Sequence, residues 1–153
     1  MNLFGIMEAS GSAMRAERIR AEVVAANMAN AETTRTEAGG PYRRRHLVFA
    51  ENPAPLEFGD RMQKARSGLL FSDGEPAGGV HIETVLEDKS APLKRYDPGH
   101  PDAGPDGYVA YPDINPLTEM VDLMGASRAY GLNSSAVQAE KSMITSALEI
   151  ARS

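Results

Sequence analysis

All ten prolines of this 153-residue chain lie between Pro41 and Pro116. Proline lacks an amide hydrogen and its ring collides with the preceding helical turn, so helix interiors exclude it. The chain is thereby divided into two proline-free flanks, residues 1–40 and 117–153, around a middle punctuated by proline and glycine. This pattern predicts helix, compact non-helical insert, helix. Helices at opposite ends of a sequence can pair only if the middle folds back as a self-contained unit. The expected fold is therefore α+β, with N- and C-terminal helices paired in a coiled-coil-like bundle and a small β-rich central insert. Residues 1–32 and 114–153 would form the helical part and residues 33–113 the insert.

The first helix is expected over residues 3–30. Glu8, Arg15, Arg18 and Glu22 follow one another at helical spacing and share a solvated stripe. Leu3, Ile6, Met7, Ala13, Met14, Val23, Val24 and Met28 spread around much of the remaining circumference. That apolar surface is wider than one partner helix covers, and Glu17 and Arg20 interrupt it as residues of an exposed edge would. Alanines at 13, 16, 21, 25, 26 and 29 favour helix and allow close backbone approach. Asn27 and Asn30 mark its end, asparagine being suited to termini and turns.

The last helix opens at Asn115-Pro116, with asparagine as the N-cap and proline at the first helical position, and runs to about Arg152. One apolar seam follows Leu132, Ala136, Ala139, Met143 and Ile150, at coiled-coil spacing. A second follows Val137, Ile144, Leu148 and Ala151, and Leu117, Val121 and Met124 belong to neither. Gly125 and Gly131 each cost roughly 1 kcal/mol relative to alanine in a helix, which predicts local softening there. Two seams on one helix imply more than one neighbour.

Between the helices, residues 43–51, 79–87, 92–96 and 107–111 alternate partially and carry β-branched or aromatic side chains, as short strands do. Residues 52–78 read as loop, with one helical turn around Gly59–Arg66. Residues 97–107, with three prolines among their aspartates and glycines, form a dense turn.

Composition excludes several classes of function. The chain has no cysteine, hence no disulfide, thiolate metal site or cysteine nucleophile. The net charge is −5, and residues 31–50 carry four arginines against two glutamates. That is too little basic density for nucleic acid. Arg43, Arg44 and Arg45 instead suit contact with acidic residues, for which the acidic insert of a neighbouring subunit is the economical source. Asp97, His100, Asp102 and Asp106 match neither an EF-hand nor a zinc pattern, and Pro98 and Pro101 around Gly99 suit a rigid structural loop. His46 and His81 read as structural imidazoles. No nucleophile motif or phosphate-binding glycine loop is present, so we expect no catalytic residue, metal, cofactor or small-molecule substrate. The N-terminus lacks a basic n-region, and no cleavable signal peptide is expected. No apolar run approaches the ~20 residues of a membrane span.

Apolar stripes at helical spacing usually make an intramolecular core. Two helices, however, meet along one line and leave their outer stripes uncovered, and sizeable exposed patches mark interaction surfaces. The candidate assembly interface therefore comprises Ile6, Met14, Val23, Val24, Asn27, Met28, Asn30 and Thr33 of the first helix and the turn that follows it. The last helix adds Met120, Met124, Leu132, Val137, Met143, Ile144, Leu148 and Ile150.

Residues 24–42, VAANMANAETTRTEAGGPY, resemble the N-terminal signature of the flagellar axial proteins, whose core is A-x-N-x-A-N-x-x-T. The continuation GGPYRRR, residues 39–45, is similar to the version carried by proximal-rod members of that family. Tyr96–Ala103, Gly107–Val109 and Tyr111–Asn115 resemble a second signature. Glu119–Met124 and Ala126–Tyr130 complete the likeness, which spans essentially the whole chain. Residues 51–78 carry no part of it, and Gly131–Ser135 are more polar and flexible than the family pattern.

The resemblance implies a structural protein without enzyme activity, whose paired terminal helices stack with other subunits while the β-rich region lies outward. It further implies a rod that spans the periplasm within the basal body and transmits torque. Implied partners are copies of itself, other rod proteins (FlgB, FlgF, FliE and the distal-rod protein FlgG) and the flagellar type III export apparatus. Asn27, Asn30 and Thr33 would then organise the passage from helix to insert, and the loop around Asp97–Pro101 would brace the insert together with Arg43–Arg45. Family members tend to have disordered ends before assembly. Two other readings stay open on the residues alone: a soluble helical adaptor or export chaperone, and a small enzyme using His81 or His100.

Overall fold

A computed structural model of the chain describes residues 3–52 and 78–152. The expected helical turn at Gly59–Arg66 lies outside them. The element order is α1 (Leu3–Ala29), β1 (Arg45–Glu51), β2 (Val80–Glu87), β3 (Leu93–Tyr96), β4 (Tyr108–Tyr111) and α2 (Pro116–Arg152). This is the α+β arrangement with terminal helices around a small antiparallel β insert.

The strands form two separate ribbons, β1 with β2 and β3 with β4. Hydrogen bonds from Asp88 N–H to Arg44 C=O (2.7 Å) and from Asn52 N–H to Gly79 C=O (2.9 Å) close the first ribbon at its two ends and make it antiparallel. In the second, Leu93 stands opposite Tyr111 and Tyr96 opposite Tyr108, with Arg95 paired to the buried Val109. The Tyr96 and Tyr108 rings meet edge-on at 5.3 Å. Gly107 closes this ribbon at φ +74°, and a Cβ there would stand 2.8 Å from the Tyr96 ring, so both conformation and space demand glycine.

The described residues fall in two compact units. One contains Arg18–Val48 and Glu83–Arg128, and the other, of the described residues, 3–17, 49–52, 78–82 and 129–152. Within the first, α1 and α2 run antiparallel, since Asn27 meets Glu119 while Arg20 meets Asp122. Within the second, α1 holds the start of β2. The Ser12 hydroxyl donates to the Ala9 carbonyl (2.7 Å) and accepts from Val80 N–H (3.1 Å). Gly79, at φ +102°, permits this approach, because a Cβ would sit 2.2 Å from Ser12 Oγ.

Helix α2 opens as its first residues dictate: the Asn115 side-chain oxygen accepts from Leu117 N–H (3.0 Å), with Pro116 in the first turn. It then runs unbroken through Gly125 and Gly131, where softening was expected. The polar residues that suggested a break turn their side chains back onto the helix. Asn133 Nδ2 donates to the Ala129 carbonyl and Ser135 Oγ to the Gly131 carbonyl, at 2.9 and 3.0 Å. Bonded four residues back, they share carbonyls that the helical ladder already uses and leave the helix unbroken. No helix among the described residues is long and apolar enough to cross a membrane.

Candidate functional site

The junction where α1 leaves and α2 enters the helical region is built around one amide. Asn27, in the last two turns of α1 and 1% exposed, uses its whole hydrogen-bonding capacity. Its Nδ2 donates to the Arg45 carbonyl (2.9 Å) and to Glu119 Oε2 (3.1 Å). Its Oδ1 accepts from Arg45 N–H (2.9 Å) and from the Tyr42 hydroxyl (3.1 Å). Two donors facing one end and two acceptors the other fix the orientation of the amide. Asn27 thus pairs the first residue of β1 as a neighbouring strand would, and ties it to the first turns of α2.

Glu119, also 1% exposed, is the other half of the junction. A carboxylate withdrawn from water needs a charged partner and hydrogen bonds. Arg44 supplies them, its Nε donating to Glu119 Oε1 at 2.6 Å and its Nη2 pairing with the same oxygen. Arg44 also lies 3.6 Å from Asp122, which Arg20 of α1 approaches at 3.7 Å. Arg20 is thus half-buried against α2 rather than on the exposed edge its charge suggested, since an acid of α2 meets it there. Burial holds the Tyr42 hydroxyl above its ordinary pKa; Arg45 opposes that shift, and the negative charges of Glu87 and Glu119 reinforce it.

From α1 the chain turns through the signature residues. Asn30 Nδ2 caps the Ala26 carbonyl (2.9 Å), and its Oδ1 accepts from Thr33 Oγ1 (3.2 Å). Tyr42 N–H then returns to the Thr33 carbonyl (3.0 Å), closing a loop whose tip, Gly39 and Gly40, sits at φ +86° and +78°. Thr34 Oγ1 donates to Asp102 Oδ2 (2.8 Å), and Arg35 lies 3.7 Å from the same carboxylate. The 97–107 loop is thereby fastened to the segment following α1. Within it, Asp97 N–H bonds the Gly107 carbonyl, His100 N–H the Asp97 carbonyl, and His100 Nδ1 accepts from Asp102 N–H. Among the described residues no group of three or more histidines and carboxylates is placed to hold a metal.

The arginine run divides as strand geometry requires. Arg44 points to Glu119, whereas Arg43 bonds the Asp88 carbonyl (3.5 Å) and Arg45 meets Glu87 (3.2 Å). The strand begins at Arg45, two residues later than its pattern suggested, although the Arg44 carbonyl still accepts from Asp88 N–H. The acids that meet Arg44 and Arg45 are this chain's own. Asp88 is held below the ordinary carboxylate range by the Ser90 hydroxyl and amide, with His46 adding to the effect.

The helices present their apolar side chains outward. On α2 the buried or half-buried positions step by seven through Glu119, Ala126, Asn133 and Glu140, flanked by Val137 and Ile144. This inner seam is largely small or polar. Leu117, Met120, Val121, Met124, Leu132, Met143, Leu148 and Ile150 are instead 50–76% exposed. On α1, Ser10, Ser12, Ala16, Val24 and Asn27 are buried, Met14, Val23 and Met28 half-buried, and Ile6 and Ile19 exposed. Of the candidate interface, Val24 and Asn27 therefore face inward, and Val137 and Ile144 partly so.

Two family models match the chain: "Flagella basal body rod protein" over residues 7–35 and "Flagellar basal body rod FlgEFG protein C-terminal" over residues 106–150. These ranges hold the two sides of the Asn27–Glu119 junction. The flagellar basal-body rod protein FlgC of Borreliella burgdorferi is 39% identical, over 98% of this chain and 98% of its own length. The chain belongs to the FlgC family. The FlgC proteins of Bacillus subtilis and Salmonella typhimurium are 36% and 33% identical, each over at least 98% of both chains.

Within this chain, sequence reasoning singled out Asn27, Asn30 and Thr33 but missed the groups that complete the junction: Tyr42, Glu119, Asp122, Arg20 and the Thr34–Asp102 bond. Glu119 is an acid in the first turn of α2, which suits the helix dipole at a surface just as well. Only the presence of Arg44, 75 residues earlier, makes it a buried partner.

Proposed function

We propose that this chain is a structural subunit of the proximal rod of the bacterial flagellar basal body, held there by its terminal helices and transmitting torque across the periplasm. It works without catalysis, cofactor or small-molecule substrate. Its neighbours are copies of itself and other rod components, with FlgB, FlgF, FliE and FlgG as the candidates, and it leaves the cytoplasm through the flagellar type III export apparatus. Residues 1–32 and 114–153 form the assembly core, and residues 33–113 an outward insert in which Arg43–Arg45 and Asp97–Pro101 act as braces.

The observation carrying this reading is the inversion of α2. A helix whose own seam is small and polar, while its leucines, methionines and isoleucine lie in water, is built to be covered by neighbours. The junction supports a mechanical role: load arriving on either helix reaches the insert through Asn27, Glu119 and Arg44, all charge-assisted or fully bonded contacts that resist displacement.

Met143→Asp tests it. Met143 is 55% exposed, so the isolated chain should unfold within about 0.5 kcal/mol of wild type. Supplied to a bacterium lacking its own copy, the variant should be exported yet form no rods and restore no swimming. Normal swimming would refute the assigned interface.

A further inference from the structure

Glu119 and Glu140 occupy equivalent positions on the inner seam of α2, three steps of seven apart, and both are buried. Their surroundings differ in kind. Glu119 is met by Arg44 and Asn27, whereas Glu140, 4% exposed, has an Oε2 that no donor reaches. Among the described residues Glu140 has no ion pair either. A carboxylate shut away from water without a partner is costly, and native structures rarely leave one so without a reason. In helical bundles, polar groups at seam positions set register and choice of partner at the expense of stability.

The same region holds a matching cation. Helix α1 carries three arginines, of which Arg18 pairs with Glu22 and Arg20 with Asp122. Arg15 is exposed, and among the described residues no acid lies within ion-pair reach of it. The long aliphatic stem of an arginine can lie along apolar surface while its guanidinium reaches a carboxylate.

We propose that Glu140 is the acceptor for Arg15 of a second copy of this chain, the pair forming only on assembly and fixing the register between copies. The inference rests on the rod-subunit reading. Because Glu140 is closed off in the free chain, its seam parts as the second copy docks, and the guanidinium supplies the missing hydrogen bonds. The exposed row of Leu132, Met143 and Ile150 supplies apolar area but little register; the charge pair supplies the register.

Glu140→Gln and Arg15→Gln test it, singly and together. Glutamine keeps the shape of the side chain and removes the charge, so the free Glu140→Gln chain should melt about 2–4 °C above wild type. A lower melting temperature would overturn the proposal by showing that the carboxylate stabilises the lone chain. In a bacterium lacking its own copy, each single variant should reduce the number of assembled rods about tenfold or more. The double variant should be no worse than either single, as a shared partnership requires. Wild-type rod numbers with Glu140→Gln, or losses that multiply in the double variant, would overturn it. The wild-type chain is the control for the underlying reading: if it enters no rods, the rod assignment fails first and this pair fails with it.

Discussion

Asn27 concentrates at one side chain what most junctions distribute over a surface. Its two donors and two acceptors are all used, and the four bonds reach three residues, Tyr42, Arg45 and Glu119, all remote in sequence. Truncation to alanine would strand the Arg45 amide and carbonyl, the Tyr42 hydroxyl and one oxygen of Glu119. We expect Asn27→Ala to cost about 2–4 kcal/mol in urea unfolding of the isolated chain, more than one hydrogen bond, because several buried groups lose their partner at once. Tyr42 gives the same junction a pH signature. Its folded pKa is raised, so its contribution is fully present below the unfolded value of about 10 and is lost as pH rises through the folded value. Tyr42→Phe should cost about 1 kcal/mol at pH 8, and that difference should shrink above pH 10, where the wild-type phenolate can no longer donate to Asn27. A constant difference from pH 8 to 11 would place the raised pKa outside the folding equilibrium.

The elements were legible wherever a local residue dictates the backbone. Asn27 and Asn30 marked the end of α1, and Asn115-Pro116 located the start of α2 to the residue. Glycine and β-branched runs located the four strands to within two residues. What local chemistry could not reveal is which side of a helix turns inward, since that depends on partners far along the chain. By hydropathy α2 should bury its methionines and leucines; instead it buries Glu119 because Arg44 waits for it, and the small Ala126. The approach of α1 to β2 was equally hidden, because a glycine before a strand signals a turn and not a contact. Gly79→Ala tests that contact. The added methyl would meet Ser12 Oγ at 2.2 Å and Ala9 Cα at 3.2 Å on a backbone with φ of +102°. Neither the helix backbone nor the left-handed conformation can yield cheaply. A loss of about 2–3 kcal/mol is expected, against about 1 kcal/mol for Ser12→Ala, which removes only a hydroxyl. Equal effects from the two would mean that the hydroxyl, and not the backbone approach, secures β2.

At the scale of the whole molecule, the burial pattern predicts unequal stability along one continuous helix. In the first third of α2, Glu119 and Ala126 are fully enclosed and the Arg44 and Asn27 bonds hold the backbone. Beyond Ile144 every described side chain is exposed to Arg152, and no seam position is closed after Glu140. A helical stretch without enclosed side chains keeps its hydrogen bonds only by propensity, which is marginal in water over so few turns. Hydrogen exchange on the free chain should therefore show amides of residues 119–128 protected close to the global unfolding free energy and those of 145–152 exchanging orders of magnitude faster. Neighbours covering Leu148 and Ile150 would add the missing burial, so the same amides should slow sharply in isolated rods. The insert supplies the internal reference, since Val109 is buried within the chain itself and its protection should be unchanged. Uniform protection along α2 in the free chain would mean that its outer face needs no cover, and the mechanical account of the two helices would lose its energetic basis.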